Sequence, residues 1–198
     1  MNVLVCGVGG QGVILCSNLL ADVAFATGFD VKKSEVHGMA QRGGSVITHV
    51  RYGKKVYSPL IEKGTADLLV AFEMLEAVRY VHFLCPEGWM LHDHYRLDPL
   101  PVQIGAVPSP EDAWLAERLA ARAPRRLSVD AFLAARGLGD SRVQNVVMLG
   151  AASRFLDLPI EEYRAAIGRL VRPGLVELNH RAFERGRELV GAVGPRPA

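Results

Sequence analysis

The order of short apolar runs and helical spacing in the first 36 residues is the feature that most constrains the fold. Residues 3–6 form an apolar run that ends at glycines, which predicts a buried parallel strand. From residue 11 to residue 27 the apolar positions recur at helical spacing, and Gly28 then closes the helix. Residues 31–36 predict a second strand. A strand–turn–helix–strand unit of this kind is the building block of a Rossmann-like α/β sheet.

The rest of the chain predicts a mostly parallel sheet with an antiparallel hairpin. Residues 45–52 alternate between polar and apolar side chains, and we expect them to pair with residues 56 and 57. Further strands are predicted at residues 67–72, 89–92, 102–104 and 127–129, with helices at 73–81 and from Ser109 to Arg122. Three amphipathic helices, at 142–155, 160–170 and 175–189, are expected to cover one edge of the sheet.

We therefore predict a three-layer, Rossmann-like α/β fold that forms one domain over residues 1–190, followed by a disordered Pro/Gly tail at 191–198. The chain has 198 residues, of which 49% are apolar, a net charge of +2 and no apolar run of membrane-spanning length. This balance argues against a nucleic-acid or membrane-surface protein. Its three cysteines are scattered and no leader precedes the first strand, so we expect a cytoplasmic protein.

The first turn, residues 7–12, has a GxGxxG pattern between a strand and a helix. Glycines there allow backbone amides to approach an anion at the helix N-terminus. The predicted cofactor-binding residues in this turn are Gly7, Gly9, Gly10, Gln11 and Gly12. From the residues alone, a stand-alone NAD- or flavin-binding oxidoreductase and a non-catalytic nucleotide-binding module both remain open.

The second turn, residues 34–45, carries more functional groups than a chain reversal needs. His37 can donate a hydrogen bond or act as a general acid, and Arg42 offers a planar fork suited to phosphate or carboxylate. Because ligands bind beyond the carboxyl ends of parallel strands, we expect the two turns to share one crevice. The candidate binding residues of the second turn are Glu35, His37, Gly38, Met39, Gln41, Arg42, Gly43 and Gly44.

Other polar residues carry weaker signals. Glu73 and Glu76 have helical i, i+3 spacing after a strand end, where a carboxylate could reach the crevice, but the favoured interpretation is a solvated pair. Asn145 is expected to make a polar contact within an apolar helix face. We predict no metal site at residues 92–94 (His-Asp-His), because we expect the two imidazoles to face opposite sides of a strand. No catalytic residue can be assigned, and the motifs that bind thiamine diphosphate, as well as GxSxG and GxxxxGK[ST], are absent from the sequence.

The two turns together resemble the gamma domain of the 2-oxoacid:ferredoxin oxidoreductases and, more narrowly, the beta subunits of indolepyruvate ferredoxin oxidoreductases. The segments at 58–61, 64–69, 72–77 and 145–151 extend the likeness over most of the chain, and residues 91–129 match least. The resemblance implies a subunit of an enzyme that oxidatively decarboxylates a 2-oxoacid, with an aryl pyruvate as the expected substrate, to an acyl-coenzyme A.

The same resemblance implies which partners and cofactors are involved. Thiamine diphosphate, magnesium and 4Fe-4S clusters are expected on a large partner subunit, with ferredoxin as the electron acceptor of the complex. Coenzyme A is the co-substrate, and the two turns are expected to line the crevice that encloses it. On this interpretation the isolated chain is inactive.

Overall fold

The computed structural model describes residues 1–38 and 43–191. Its strands are β1 (Asn2–Val8), β2 (Asp30–His37), β3 (Ser45–Gly53), β4 (Ala66–Ala71), β5 (Leu84–Asp93) and β6 (Arg126–Val129). Its helices are α1 (Val13–Ala26), α2 (Met74–Tyr80), α3 (Leu100–Gln103), α4 (Asp112–Arg122), α5 (Ala131–Gly137), α6 (Gln144–Ala152), α7 (Ile160–Leu170) and α8 (Val176–Val190).

The six strands form one mixed sheet in the order β2-β3-β1-β4-β5-β6. Strands β1, β4, β5 and β6 run parallel to one another, and β3 runs antiparallel to both β1 and β2. Alternate residues of β1 face opposite sides, so that Val3 and Val5 belong to one apolar core while Leu4 and Cys6 belong to the other. The predicted three-layer α/β fold with a mostly parallel sheet is confirmed.

Two cores separate the helices into two layers. The larger core contains residues of α1 and of α5 to α8, and the smaller core contains residues of α2 and α4. The helices that follow residue 139 therefore cover a face of the sheet, and our expectation that they cover an edge was wrong. Helix α6 is buried along its whole length, so it needs neighbours on several sides, which a sheet edge cannot supply.

The hairpin has a different second strand from the one expected. Strand β3 pairs with β2, with Val36 opposite Ile47, and β1 occupies its other side. Since both edges of β3 are taken, residues 56 and 57 have no free strand to join. Instead the backbone N–H of Val56 donates to the Asp30 carboxylate at 3.0 Å. The strand β3 also separates β1 from β2, the two strands that α1 connects.

Two further differences concern residues 100–137. The expectation of a strand at 102–104 was wrong, because the short helix α3 occupies most of this segment. Pro99 precedes α3, and Pro101 lies in its first turn, where the missing N–H of proline costs nothing. Helix α5 was not predicted, because it has only 7 residues and its burial depends on α6 and α8. Gly191 ends α8 with a positive φ of 61°, and the rest of the expected tail lies outside the described residues.

Candidate functional site

The first and second turns lie side by side at the carboxyl edge of the parallel strands. The backbone N–H of Gly9 donates to the Gly44 carbonyl at 2.8 Å, and the N–H of Gly43 donates to the Gly9 carbonyl at 3.4 Å. The pairing of β1 with β3 continues up to Val8 and Ser45, directly beneath these bonds. Gly9 of the first turn therefore lies beside Gly43 and Gly44 of the second, as predicted. That the two turns share one ligand crevice stays a prediction.

The chain reverses its winding direction next to these turns. Helix α1 follows β1 on one face of the sheet, whereas α2 follows β4 on the other face. Adjacent parallel strands whose following helices lie on opposite faces leave a crevice between their carboxyl ends, the usual ligand position in such folds. We call the region between the carboxyl ends of β1 and β4 the switch crevice.

The glycines of the first turn have different roles. A Cβ at Gly7 would lie within 3.0 Å of Val13 and Phe72, so this position requires close approach of β1 to its neighbours. Gly10 is exposed with a φ of 107°, and a Cβ there would meet nothing within 4 Å. The backbone at Gly10 is thus open to an incoming group, while the backbone at Gly7 is not.

Gln11 and Asn145 occupy the inner part of the switch crevice. The Gln11 side chain accepts from the Val8 N–H at 2.7 Å and donates to the Phe72 carbonyl at 3.0 Å, bridging the ends of β1 and β4. Asn145, at the start of α6, packs against Gly12, whose added Cβ would lie 2.4 Å from the Asn145 amide nitrogen. Asn145 thus packs against the residue that precedes α1, and no side chain among the described residues caps this helix start with a hydrogen bond. No observation among the described residues favours the dinucleotide-binding alternatives.

The second turn is described in part. Glu35 forms an ion pair with Lys33 of the same strand, and the backbone N–H of Gly38 donates to the Ser45 carbonyl at 3.3 Å. Gly43 is exposed with a φ of 75° and open space around it. His37 belongs to the backbone of β2, but its side chain is outside the description, as are Met39, Gln41 and Arg42. Their assignment as binding residues stays a prediction.

A network of buried carboxylates lies behind the turns. The sequence pattern did not lead us to expect this network. The Glu73 side chain is fully buried and Glu76 is 4% exposed, so the expectation of a solvated pair was wrong. Glu73 caps α2 by accepting from the Glu76 N–H at 3.0 Å and also accepts from the Leu97 N–H at 3.2 Å. Burial raises the pKa of both carboxyls. The available signal was the i, i+3 spacing of acids directly after a buried strand, which is typical of a capped helix start.

Asp93 extends this network at the end of β5. Its carboxylate accepts from the Phe132 N–H at 2.8 Å and from the Gln144 amide at 2.9 Å. The same Gln144 amide donates to the Phe72 carbonyl at 3.2 Å, so it meets Gln11 on one acceptor. Burial raises the pKa of the Asp93 carboxyl. The start of α6 is thereby fixed to the ends of β4 and β5. Asn145, next to Gln144, lies in the buried part of α6, and its side-chain oxygen accepts from the Val146 N–H at 2.9 Å.

Histidines and cysteines do not converge on a metal site in the described part of the chain. The rings of His92 and His94 lie on the same side, with centroids 5.9 Å apart, contrary to our expectation of opposite faces. Residues two apart on a strand share a face. Even so, residues 1–38 and 43–191 contain no group of three ligand-type side chains. Burial raises the pKa of Cys6 and brings that of Cys16 to about 12, so both remain thiols.

The sequence and the fold both match known proteins. A family model described as "Pyruvate ferredoxin/flavodoxin oxidoreductase" matches residues 2–189. The chain belongs to this family. Its predicted family membership is confirmed, and the chain is a subunit of a 2-oxoacid oxidoreductase.

Several relatives in the family are similar over nearly their whole length. Indolepyruvate oxidoreductase subunit IorB of Thermococcus kodakarensis is 34% identical over 96% of this chain and 98% of its own length. The subunit of the same name from Archaeoglobus fulgidus is 36% identical over 100% of this chain and 98% of its own length. Ketoisovalerate oxidoreductase subunit VorA of Methanothermobacter thermautotrophicus is 29% identical, and this chain covers only 36% of it.

Solved structures of oxoacid oxidoreductases share the fold. A keto/oxoacid ferredoxin oxidoreductase gamma subunit from Geobacter sulfurreducens has a TM-score of 0.72 at 24% identity, with 97% of this chain and 99% of that chain covered. A 2-oxoglutarate:ferredoxin oxidoreductase from Magnetococcus marinus has a TM-score of 0.76 at 18% identity and covers all of this chain, which matches 32% of that one. In the parts of this family member that the structure describes, no helix has the length and apolarity needed to cross a membrane.

Proposed function

We propose that this chain completes the active-site crevice of an indolepyruvate or other aryl-pyruvate ferredoxin oxidoreductase. The observation that carries the proposal is the direct contact between the first and second turns at the carboxyl edge. Gly10 and Gly43 both leave open space there, and their backbones can approach a bound molecule without a side chain in between. The names of the relatives with 34–36% identity support the choice of an aryl pyruvate.

Coenzyme A is the co-substrate that fits this edge. Its diphosphate is an anion, and backbone amides at glycine turns are suited to anions. The Arg42 guanidinium and the His37 imidazole, predicted from the sequence as binding groups, supply the charged contacts in this proposal. The similar structure from Magnetococcus marinus holds 2-oxoglutarate, coenzyme A and succinyl-coenzyme A.

The remaining cofactors belong to a large partner subunit in this proposal. Thiamine diphosphate with magnesium supplies the decarboxylation chemistry there, and 4Fe-4S clusters carry electrons to ferredoxin. The cysteines of this chain do not fit a cluster, since Cys6 and Cys16 are buried thiols without neighbouring thiolates and Cys85 is distant in sequence. The role of this chain is to enclose the site and to position coenzyme A, so the isolated chain has no turnover.

Reconstitution with the large subunit tests the proposal. Indolepyruvate-dependent reduction of ferredoxin requires both subunits, and Arg42→Ala raises the KM for coenzyme A about tenfold, or weakens assembly, because it removes a charge-assisted contact. The kinetics are measured in the purified complex, and circular dichroism checks that the variant folds. Unchanged turnover and unchanged assembly of Arg42→Ala would reject the proposed role of the turns.

A pair of glycine variants separates loss of access from loss of stability. Gly10→Val and Gly28→Val both place a branched residue at a positive φ (107° and 91°) in open space, so we expect similar strain of about 1–2 kcal/mol. Gly28 follows the far end of α1, about 20 Å along the helix from the first turn. Only Gly10→Val should impair coenzyme A use. Equal effects of the two variants would assign the first turn a structural role alone.

A further inference from the structure

The second turn is tied to α2 by a side-chain contact that crosses β1. Ser45 is the first residue of β3, whereas Glu76 lies on α2, which follows β4. In the sheet order β3-β1-β4 these two elements are not neighbours. The Ser45 hydroxyl nevertheless donates to the Glu76 carboxylate, and it lies 2.9 Å from the Tyr80 hydroxyl. We call Ser45, Glu76 and Tyr80 the brace.

The burial and charge of Glu76 suit it to this contact. Its side chain is only 5% exposed, and one carboxylate oxygen pairs with the Arg79 guanidinium at 3.1 Å. The other oxygen receives the Ser45 hydroxyl. The Arg79 side chain is 55% exposed, so it can hold the carboxylate and still be hydrated. A buried carboxylate with a donor on each oxygen has little freedom to move, so it can hold the Ser45 hydroxyl in place.

The brace acts on the same backbone segment that joins the two turns. Gly43 and Gly44, which directly precede Ser45, make the backbone hydrogen bonds to Gly9. The segment is thus held by the first turn through its backbone and by Glu76 of α2 through the Ser45 side chain. Both glycines lack side chains that could hold them in place. Their position depends on the residue that follows them.

We propose that Glu76, through Ser45, is a positioning residue that sets Gly43 and Gly44 of the second turn for binding of the co-substrate. The inference rests on the proposed function in that it names coenzyme A as the affected ligand. Glu76 itself touches neither substrate nor cofactor in this proposal. Its effect reaches the ligand through the backbone at Gly43 and Gly44.

Kinetics of the reconstituted complex provide the first test. Ser45→Ala should raise the KM for coenzyme A about fivefold to tenfold while kcat and the KM for indolepyruvate stay within about twofold. Glu76→Gln should leave the KM for coenzyme A close to that of the unaltered enzyme, because the glutamine amide oxygen can still accept from Ser45. Ser17→Ala is the matched control, since Ser17 is a buried serine whose hydroxyl bonds within α1 to Ile14. An equal rise in KM for Ser17→Ala would overturn the inference.

Amide hydrogen exchange of the isolated full chain tests the brace without any activity. Ser45→Ala should accelerate exchange at Gly9 and Gly43, whose amides form the bonds between the turns, by about threefold or more relative to Ser17→Ala. Unchanged exchange, or an unchanged KM for coenzyme A, in Ser45→Ala would refute the inference. If Arg42→Ala alters the KM and Ser45→Ala does not, only this inference fails. If Arg42→Ala has no effect, the proposed function fails, and the exchange result still decides the brace.

Discussion

The contact between α6 and α8 leads to a quantitative prediction about glycine. Gly186 of α8 faces α6 so closely that an added Cβ would lie 1.9 Å from the Val147 carbonyl oxygen. The reciprocal position, Gly150 of α6, would place a Cβ 2.0 Å from the Phe183 carbonyl oxygen. Because the obstructing atoms belong to the backbone, Gly186→Ala requires α8 to move away from α6 by about 1 Å in a close-packed core.

The free-energy cost follows from two opposing effects. Overpacking of a core costs about 1–3 kcal/mol, and we expect the upper end here because a helix backbone cannot rotate away as a side chain can. Alanine favours the helix over glycine by about 1 kcal/mol. The net effect of Gly186→Ala is therefore a loss of about 2 kcal/mol of unfolding free energy. For a chain of this size the melting temperature should fall by about 4–8 °C.

Gly168→Ala is the matched control for this substitution. Gly168 lies on α7, is exposed, and an added Cβ would meet nothing within 4 Å. Only the helix preference acts there, so this variant should gain about 0.5–1 kcal/mol. Urea unfolding followed by circular dichroism, with thermal melts, measures both variants. If Gly186→Ala is as stable as Gly168→Ala, the helices do not approach as closely as described, and the reasoning is refuted.

Displacement of α6 also connects this prediction to the site. The first residues of α6 are Gln144 and Asn145, which contact Phe72 and Gly12 at the switch crevice. A shift of α6 and α8 in Gly186→Ala should therefore lower the activity of the reconstituted enzyme, in addition to lowering the stability of the chain. Second substitutions far from α6 that restore stability should not restore that activity.

Two further predictions concern buried polar groups. Tyr163→Phe should raise the unfolding free energy by about 1 kcal/mol. The fully buried Tyr163 hydroxyl has no hydrogen-bond partner among the described residues, and the phenylalanine keeps the stacking on Phe183. A loss of about 1 kcal/mol in urea unfolding would contradict this. The His49 ring accepts the Ile61 N–H, and burial lowers the pKa of His49 below the ordinary 6.5. The folded state therefore favours the neutral ring, and the free energy of unfolding falls as the pH drops below 6.5. In His49→Asn, the urea concentration at the unfolding midpoint should change less with pH below 6.5 than in the unaltered chain. The same pH dependence in both proteins would contradict the assignment.

The sequence by itself determined the strands with strong apolar runs, the helix between the first two of them, and the place of the two turns. A buried run ending at glycines leaves few alternatives to a parallel strand, and the carboxyl ends of such strands meet at one edge. The family resemblance came from the same turns. Short segments around residues 56, 102 and 131 were predicted less well, because their local pattern is weak and their neighbours in space decide their conformation.

The tertiary structure alone decided how the site is built. Insertion of β3 between β1 and β2 brings Gly44 into hydrogen-bonding contact with Gly9, and no local pattern specifies that order of strands. The burial of Glu73 and Asp93 depends on donors 24 to 51 positions away in the sequence, at Leu97, Phe132 and Gln144. A carboxylate can be buried only where such donors converge, and their convergence is a property of the packed chain.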